Sequence, residues 1–337
     1  MKIINLSFLK KIPLTCIFEL TYNCNLHCLH CYVVPKKCKE LNTEKIKEII
    51  LQLKKAGTLI LSFSGGEILT RPDFWEIASY ASSLNFALNL YTNGTLITQE
   101  VVSKIKKLLI YQVHISIYSS ISSIHDKITR CNGSFEKSIE AITLLRQNKI
   151  KVKIKTPLMK QNIEEVDKII DLAKKLDTTY LLDPTLTSCQ NGEKTPLKWR
   201  VGKKDLMKFY TNPNIIPKKG ANVFYDKQQD YPCSAGHNFC SISPYGDVYS
   251  CLQIPLKSGN LKNKTFFDIW HHSPVFKKIR NITTNKLSQC KDCKYLFVCS
   301  RCAGLAYTED GDILGPSKRA CEVAKIKWQI KQEKNGN

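Results

Sequence analysis

Between residues 14 and 183 the chain alternates short runs of β-branched and aromatic residues with longer runs whose apolar positions recur at helical spacing. The predicted strands are LTCIFEL (14–20), TLILSFS (58–64), FALNLYT (86–92), YQVHISIY (111–118), KVKIKTP (151–157) and TYLLD (179–183). Between two of them, Ile46, Ile49, Ile50 and Leu53 share one face of a predicted helix over 43–56. A second helix over 162–176 carries the stripe Ile163, Val166, Ile169, Ile170 and Ala173, with Asn162 as its expected cap. Six strand–helix units imply a parallel sheet with helical crossovers. Six are too few for an eight-fold barrel, so the expected fold is α/β, an open partial (β/α)6 TIM-like barrel over residues 1–185.

The rhythm then stops. TLTSCQNGEKTPLKWRVGKKD and TNPNIIPKKGANVF are rich in Pro, Gly, Asn and Lys without a clear period, so 186–230 is expected to bridge two domains. From 231 to 337 cysteines return at high density among short strands and turns such as SPYGDVYS (243–250). This is the pattern of a small domain organised by metal, closed by a basic amphipathic helix over about 318–334.

Composition narrows the classes. No apolar stretch approaches the roughly 18 to 20 residues of a membrane span. Lys10, Lys11 and Pro13 interrupt any signal-peptide core, so the expected location is the cytoplasm, with no membrane partner. The net charge of +22 invites a nucleic-acid reading. Only seven of the 51 basic residues are arginine, however, and the lysines are spread over the whole length. Solvated helix faces account for most of that charge. A lysine-rich surface also suits an acidic peptide.

The 15 cysteines do change the picture. A chain of this length without an export signal has no need of a disulfide framework. Ten of the cysteines fall into CxxxCxxC, C…GxxxxC, CxxCxxxxxCxxC and one trailing position, and such spacings belong to metal sites. Cys24, Cys28 and Cys31 follow the first predicted strand, where parallel α/β sheets gather their chemistry. Three thiolates can hold three irons of a [4Fe–4S] cube and leave the fourth iron open. Zinc would instead recruit His27 or His30. After the second strand, Gly65 and Gly66 permit close backbone approach, and Glu67 offers a carboxylate acceptor for an amine. Cys16, Cys38, Cys131 and Cys189 match no motif and are expected to be small buried hydrophobes.

With CxxxCxxC after strand one and GGE after strand two, the chain resembles the radical S-adenosylmethionine (SAM) enzymes. The likeness continues through YTNGTLI (91–97) and VHISIYS (113–119). It implies that Cys24, Cys28 and Cys31 hold a [4Fe–4S] cluster whose open iron chelates SAM, and that Gly65, Gly66 and Glu67 contact the methionine moiety. It further implies that His30 lies near the adenine and that Ser116 contacts SAM. Arg130, after the His125–Asp126 pair, would clamp the SAM carboxylate, although it stands one residue out of register. Ile68 replaces the usual proline of the GGE segment. The C-terminal cysteines are similar to the SPASM extension, with up to two auxiliary [4Fe–4S] clusters. That likeness implies one cluster on Cys290, Cys293, Cys299 and Cys321, and another on Cys233, Cys251 and Cys302 with Cys240 as fourth ligand. The spacing from Cys299 to Cys302 is the shorter form found in some subgroups.

SPASM-type radical SAM enzymes mostly modify ribosomally made peptides or proteins, so the expected activity is peptide maturation by hydrogen abstraction. The implied partners are a peptide or protein substrate with an acidic leader, a separate peptide-recognition protein, and an electron donor such as flavodoxin or ferredoxin. The competing expectation is a radical SAM enzyme of haem or haem-d1 tetrapyrrole synthesis. A zinc-containing nucleic-acid-binding protein explains the charge but leaves the strand–helix units and GGE without a purpose. No residue stands out as a catalytic acid or base, and hydrogen abstraction by a cofactor requires none.

Overall fold

The computed structural model describes residues 2–215 and 231–335; the stretch 216–230, part of the expected bridging region, lies outside the described residues. The six expected strands are present within one or two residues of their predicted ends. They are β1 Thr15–Thr21, β2 Ile60–Gly65, β3 Ala87–Thr92, β4 Ile110–Ser116, β5 Val152–Pro157 and β6 Thr179–Asp183. All pair in parallel in sequential order. The crossover helices form where local chemistry favours them. In Thr43–Lys55 the Asn42 side chain accepts from the Lys45 amide, Glu44 sits in the first turn, and Lys54 and Lys55 in the last.

Alternation along each strand separates two faces. Phe18, Leu20, Leu61, Phe63, Leu88, Leu90, Val113, Ile115, Val152 and Ile154 pack into one core with the helical Ile46, Ile49, Ile50, Ala141 and Leu145. Each buried side chain of this size contributes about 1.5–3 kcal/mol. On the opposite, helix-free face the parallel register lines up polar residues: Ser62 beside Asn89, Tyr91 beside His114, His114 beside Lys153, and Ser116 beside Lys155.

The cysteine-rich region extends the same sheet, because β7 Phe239–Ile242 pairs in parallel with β1. With β8 Asp247–Tyr249 and β9 Lys257–Asn260 added antiparallel, one sheet runs β6-β5-β4-β3-β2-β1-β7-β8-β9. Ile242, Val248, Phe266, Trp270 and Phe276 join the main core. The bridging region, expected to lack periodic structure, contains the helix Lys203–Thr211. Its Leu206 and Phe209 bury against Val166, Ile170 and Ile330, so the C-terminal helix Lys318–Asn335 returns onto the barrel. Asn162 stands at the N-cap position of the 3-10 turn Ile163–Glu165 that leads into the helix Val166–Lys175, but its side chain makes no capping bond. Its amide donates to the Tyr118 and Pro157 carbonyls and its oxygen accepts from the Met159 amide, tying β4 to β5. No helix among the described residues is long and apolar enough to cross a membrane.

Candidate radical SAM site

The cysteine triad lies in the loop leaving β1, and backbone hydrogen bonds fasten that loop on both flanks. On one side the Gly66 amide donates to the Thr21 carbonyl at 2.8 Å and the Glu67 amide to the Asn23 carbonyl at 2.9 Å. A Cβ on Gly65 would lie 2.1 Å from the Thr21 oxygen, and one on Gly66 would lie 2.2 Å from the Asn23 oxygen. Gly65 also has φ +132°, so this approach requires glycine at both positions. On the other side the His27 and Leu29 amides donate to the Thr129 and Ile128 carbonyls at the end of the helix Ser122–Thr129.

Among the described residues no three His, Cys, Asp or Glu side chains converge on a single-ion site. A cube does not require such convergence, since each thiolate binds its own iron. The histidines do not complete a zinc tetrahedron. His27 is exposed, and His30 turns its ring edge-on to Tyr118 at 4.9 Å. Burial pushes the Cys24 thiol up and the Cys28 thiol up to about 12, so both thiols need a cationic partner to ionise, as bound iron would provide. Burial holds His30 near 4, and its buried Nδ1 has no hydrogen-bond partner. Three thiols beside a buried imidazole, where neither histidine of the motif completes a tetrahedron, fit a cluster that keeps one iron open.

Glu67, expected to offer its carboxylate to an amine, is fully buried and occupied within the fold. It accepts from the Asn93 amide at 2.7 Å, from Thr92 Oγ1 at 2.8 and 2.9 Å and from the Leu69 amide at 3.1 Å. Its side chain straps the β2 loop to the β3 loop. Ser116 ends β4, half-buried on the helix-free face beside the Tyr118 hydroxyl. Arg130 is an exposed helix C-cap in the left-handed region (φ 58°), outside the polar row of the sheet. The pair before it is structural. His125 Nδ1 accepts from the Tyr118 amide, while Asp126 accepts from the Gly133 and Phe135 amides and from Ser134 Oγ.

The remaining cysteines form two neighbourhoods. Cys251 lies within electrostatic reach of Cys233 and Cys302, and burial pushes its thiol up to about 12. Cys299 lies within reach of Cys321, Cys290 and Cys293, and burial raises it to about 11. The Arg301 guanidinium holds the Ile313 and Gly315 carbonyls and so fixes the segment between the two groups. Cys240 is corrected. It is fully buried on the helix-covered face of β7, directly opposite Cys16 of β1, and packs in the core instead of joining Cys233 and Cys251. Cys16 and Cys189 are buried as expected, whereas Cys38 is exposed and Cys131 half-buried.

One group was missed. Glu19, on β1 one turn before the triad, is 1% exposed and accepts from Tyr22 Oη at 2.8 Å and Tyr32 Oη at 2.9 Å. The Gln190 amide donates to it at 3.3 Å. Burial raises its pKa against these bonds. The available signal was an acidic residue inside an otherwise apolar strand. Its partners tie the residue after Cys31 to the chain beyond the barrel, where Cys189 lines a small cleft with Tyr32, Gln253 and Leu305.

A family model for the radical SAM superfamily matches residues 18–173, and one for the SPASM iron–sulfur cluster-binding domain matches 233–294. The AdoMet-dependent heme synthase of Methanosarcina barkeri is 32% identical over 326 residues, spanning 88% of this chain and 93% of that one. Mycofactocin maturase MftC of Mycolicibacterium smegmatis is 28% identical over 306 residues, spanning 85% and 77%. Streptococcus suis SuiB bound to S-adenosylmethionine shares the fold with a TM-score of 0.74 at 19% identity, over 92% of this chain and 77% of that one. The structure of anSMEcpe with bound AdoMet and Kp18Cys peptide does so with a TM-score of 0.71 at 19% identity, over 96% and 98%. The chain therefore belongs to the radical SAM superfamily, with a SPASM domain, and its cofactors are [4Fe–4S] clusters and S-adenosylmethionine.

Proposed function

We propose that this enzyme modifies a ribosomally made peptide or protein. The supporting observation is a triad loop pinned on both flanks at the carboxyl end of β1, beside the helix-free polar face of the sheet. When bound, the cluster and SAM supply a 5′-deoxyadenosyl radical on reduction. In this reading Cys24, Cys28 and Cys31 hold the SAM-binding cluster, and Gly65, Gly66 and Ser116 meet SAM. Cys233, Cys251 and Cys302 hold one auxiliary cluster, and Cys290, Cys293, Cys299 and Cys321 hold the other. The barrel over 1–185, the bridge over 186–230 and the SPASM region over 231–337 are the working units. Glu67, Asp126 and His125 keep the loops in place. The maturase relative supports a peptide substrate. So does β6, which among the described residues ends the sheet and offers an edge to which an extended peptide can add.

A second reading, a carboxylate-bearing tetrapyrrole substrate, is favoured by the heme synthase, whose length is matched almost end to end. Anaerobic reconstitution tests the shared chemistry. On the order of twelve irons with matching sulfide, from three cubes, and 5′-deoxyadenosine on reduction are expected. Zinc without sulfide, or intact SAM after reduction, would overturn it. Mass change in a peptide encoded beside this gene, against change in an added iron porphyrin, separates the two substrates.

A further inference from the structure

On the β4–β5 part of the helix-free face two lysines stand beside a buried imidazole, and the nearest carboxylate forms no ion pair with either lysine among the described residues. His114 is 8% exposed and stacks on Tyr91 at 4.3 Å with planes 12° apart. Its Nδ1 is buried and makes no hydrogen bond among the described residues. Register sets Lys153 beside His114 and Lys155 beside Ser116, and Lys155 Nζ stands 5.4 Å from the Tyr91 ring centre. Among the described residues neither lysine forms an ion pair. The carboxylate that acts on Lys155 is Asp183 at the end of β6, exposed and accepting from the Thr185 amide. Burial and Lys153 hold Lys155 below the ordinary lysine range, and burial with Lys155 and Lys153 holds His114 near 3.

Two neighbouring ammoniums, one of them half-buried, repel each other, and an exposed Asp183 that pairs with neither among the described residues compensates them only in part. A bound anion reverses the balance. Lysine acts here as a point charge, without the guanidinium fork that suits phosphate, and Tyr91 supplies an apolar floor. These features fit a carboxylate attached to a larger, partly apolar molecule. We propose that Lys155, with His114 beside it and Lys153 adding charge, forms a subsite that binds a carboxylate of the substrate and orients it on the helix-free face. The inference rests on the radical SAM reading and names a residue that decides which substrates are accepted.

The test uses cluster-reconstituted, SAM-loaded, unreduced enzyme and two probe pairs. One pair is protoporphyrin IX and its dimethyl ester. The other is a short alanine-rich peptide with a free C-terminal carboxylate and its C-terminal amide. The acid form of at least one pair is expected to bind about ten-fold or more tightly than its neutral form. Lys155→Met should remove that preference by weakening only the acid, and Lys155→Arg should restore most of it. The pair that shows the preference identifies the source of the carboxylate. Absence of a preference in both pairs overturns the subsite. A ten-fold loss of SAM affinity in Lys155→Met also overturns it, because the lysine would then serve the carboxylate of SAM. Should Lys155→Met fail to fold, the wild-type acid-to-neutral ratios together with Lys155→Arg still decide. Failure of the radical SAM reading appears separately, as no SAM cleavage by reduced wild-type enzyme.

Discussion

On the helix-covered face of the sheet Phe18, Phe63, Leu88, Val113 and Ile154 have no solvent contact and pack into one core. On the other face the same strands present Ser62, Asn89, His114 and Lys155, and both Asn89 Oδ1 and His114 Nδ1 are buried without partners among the described residues. Each such orphan costs about 1–3 kcal/mol. Two faces separated by one pleat thus obey opposite rules. One maximises burial, while the other gives up stability to keep polar groups available. The rim where chemistry is expected belongs to the second face.

Substitutions on each face should therefore move different readouts. The largest effect is expected from Cys28→Ala, which should reduce SAM cleavage to background while the far-ultraviolet circular dichroism of the protein persists. Phe63→Ala should do the reverse, costing about 3–5 kcal/mol in urea unfolding because it leaves a cavity in the close-packed face. Loss of the fold in Cys28→Ala, or less than about 1 kcal/mol in Phe63→Ala, would dissolve the contrast.

A third effect is read through pH. Burial holds His125 near 4 from an ordinary value of 6.5, so it is neutral in the fold while the unfolded chain takes up a proton below 6.5. Its contribution is complete above pH 6.5 and declines as pH falls towards 4. The loss is about 3 kcal/mol over that window. In His125→Asn, which keeps an acceptor for the Tyr118 amide, urea unfolding between pH 7 and pH 4 should show a correspondingly flatter profile. The smallest effect is expected from Cys240→Ala. Iron and sulfide content should be unchanged, with about 1 kcal/mol lost from the core; loss of four irons would return Cys240 to the auxiliary site.

The six barrel strands were legible because apolar β-branched and aromatic residues alternate or cluster over short runs, even between the lysines of KVKIKTP, and their ends moved by only one or two residues. The triad and GGE were legible because local spacing alone brings them to adjacent strand ends. What escaped depends on pairing across long sequence separations. Nothing in FCSI shows that it docks on β1, and the docking decides that Cys240 faces Cys16 and not Cys233. Leu206 and Phe209 were hidden among lysines, since their partners lie in the distant C-terminal helix. The spacing of Arg130 from the His125–Asp126 pair suggested a clamp, but its left-handed cap and exposure are set by how the preceding helix ends. Lys155 and His114 look like ordinary strand residues until parallel register sets their neighbours beside one another.

The parallel pairing of β1 with β7 also bears on how the molecule is made. As the chain leaves the ribosome, β1 acquires β2 early, but its other edge stays bare until Phe239–Ile242 has been synthesised. Throughout that interval the first strand, with Cys24, Cys28 and Cys31 directly after it, belongs to an incomplete sheet. Final seating of the cysteine-triad loop is therefore a late event of biosynthesis, and truncation before residue 239 should yield protein prone to edge-to-edge aggregation instead of a smaller working enzyme.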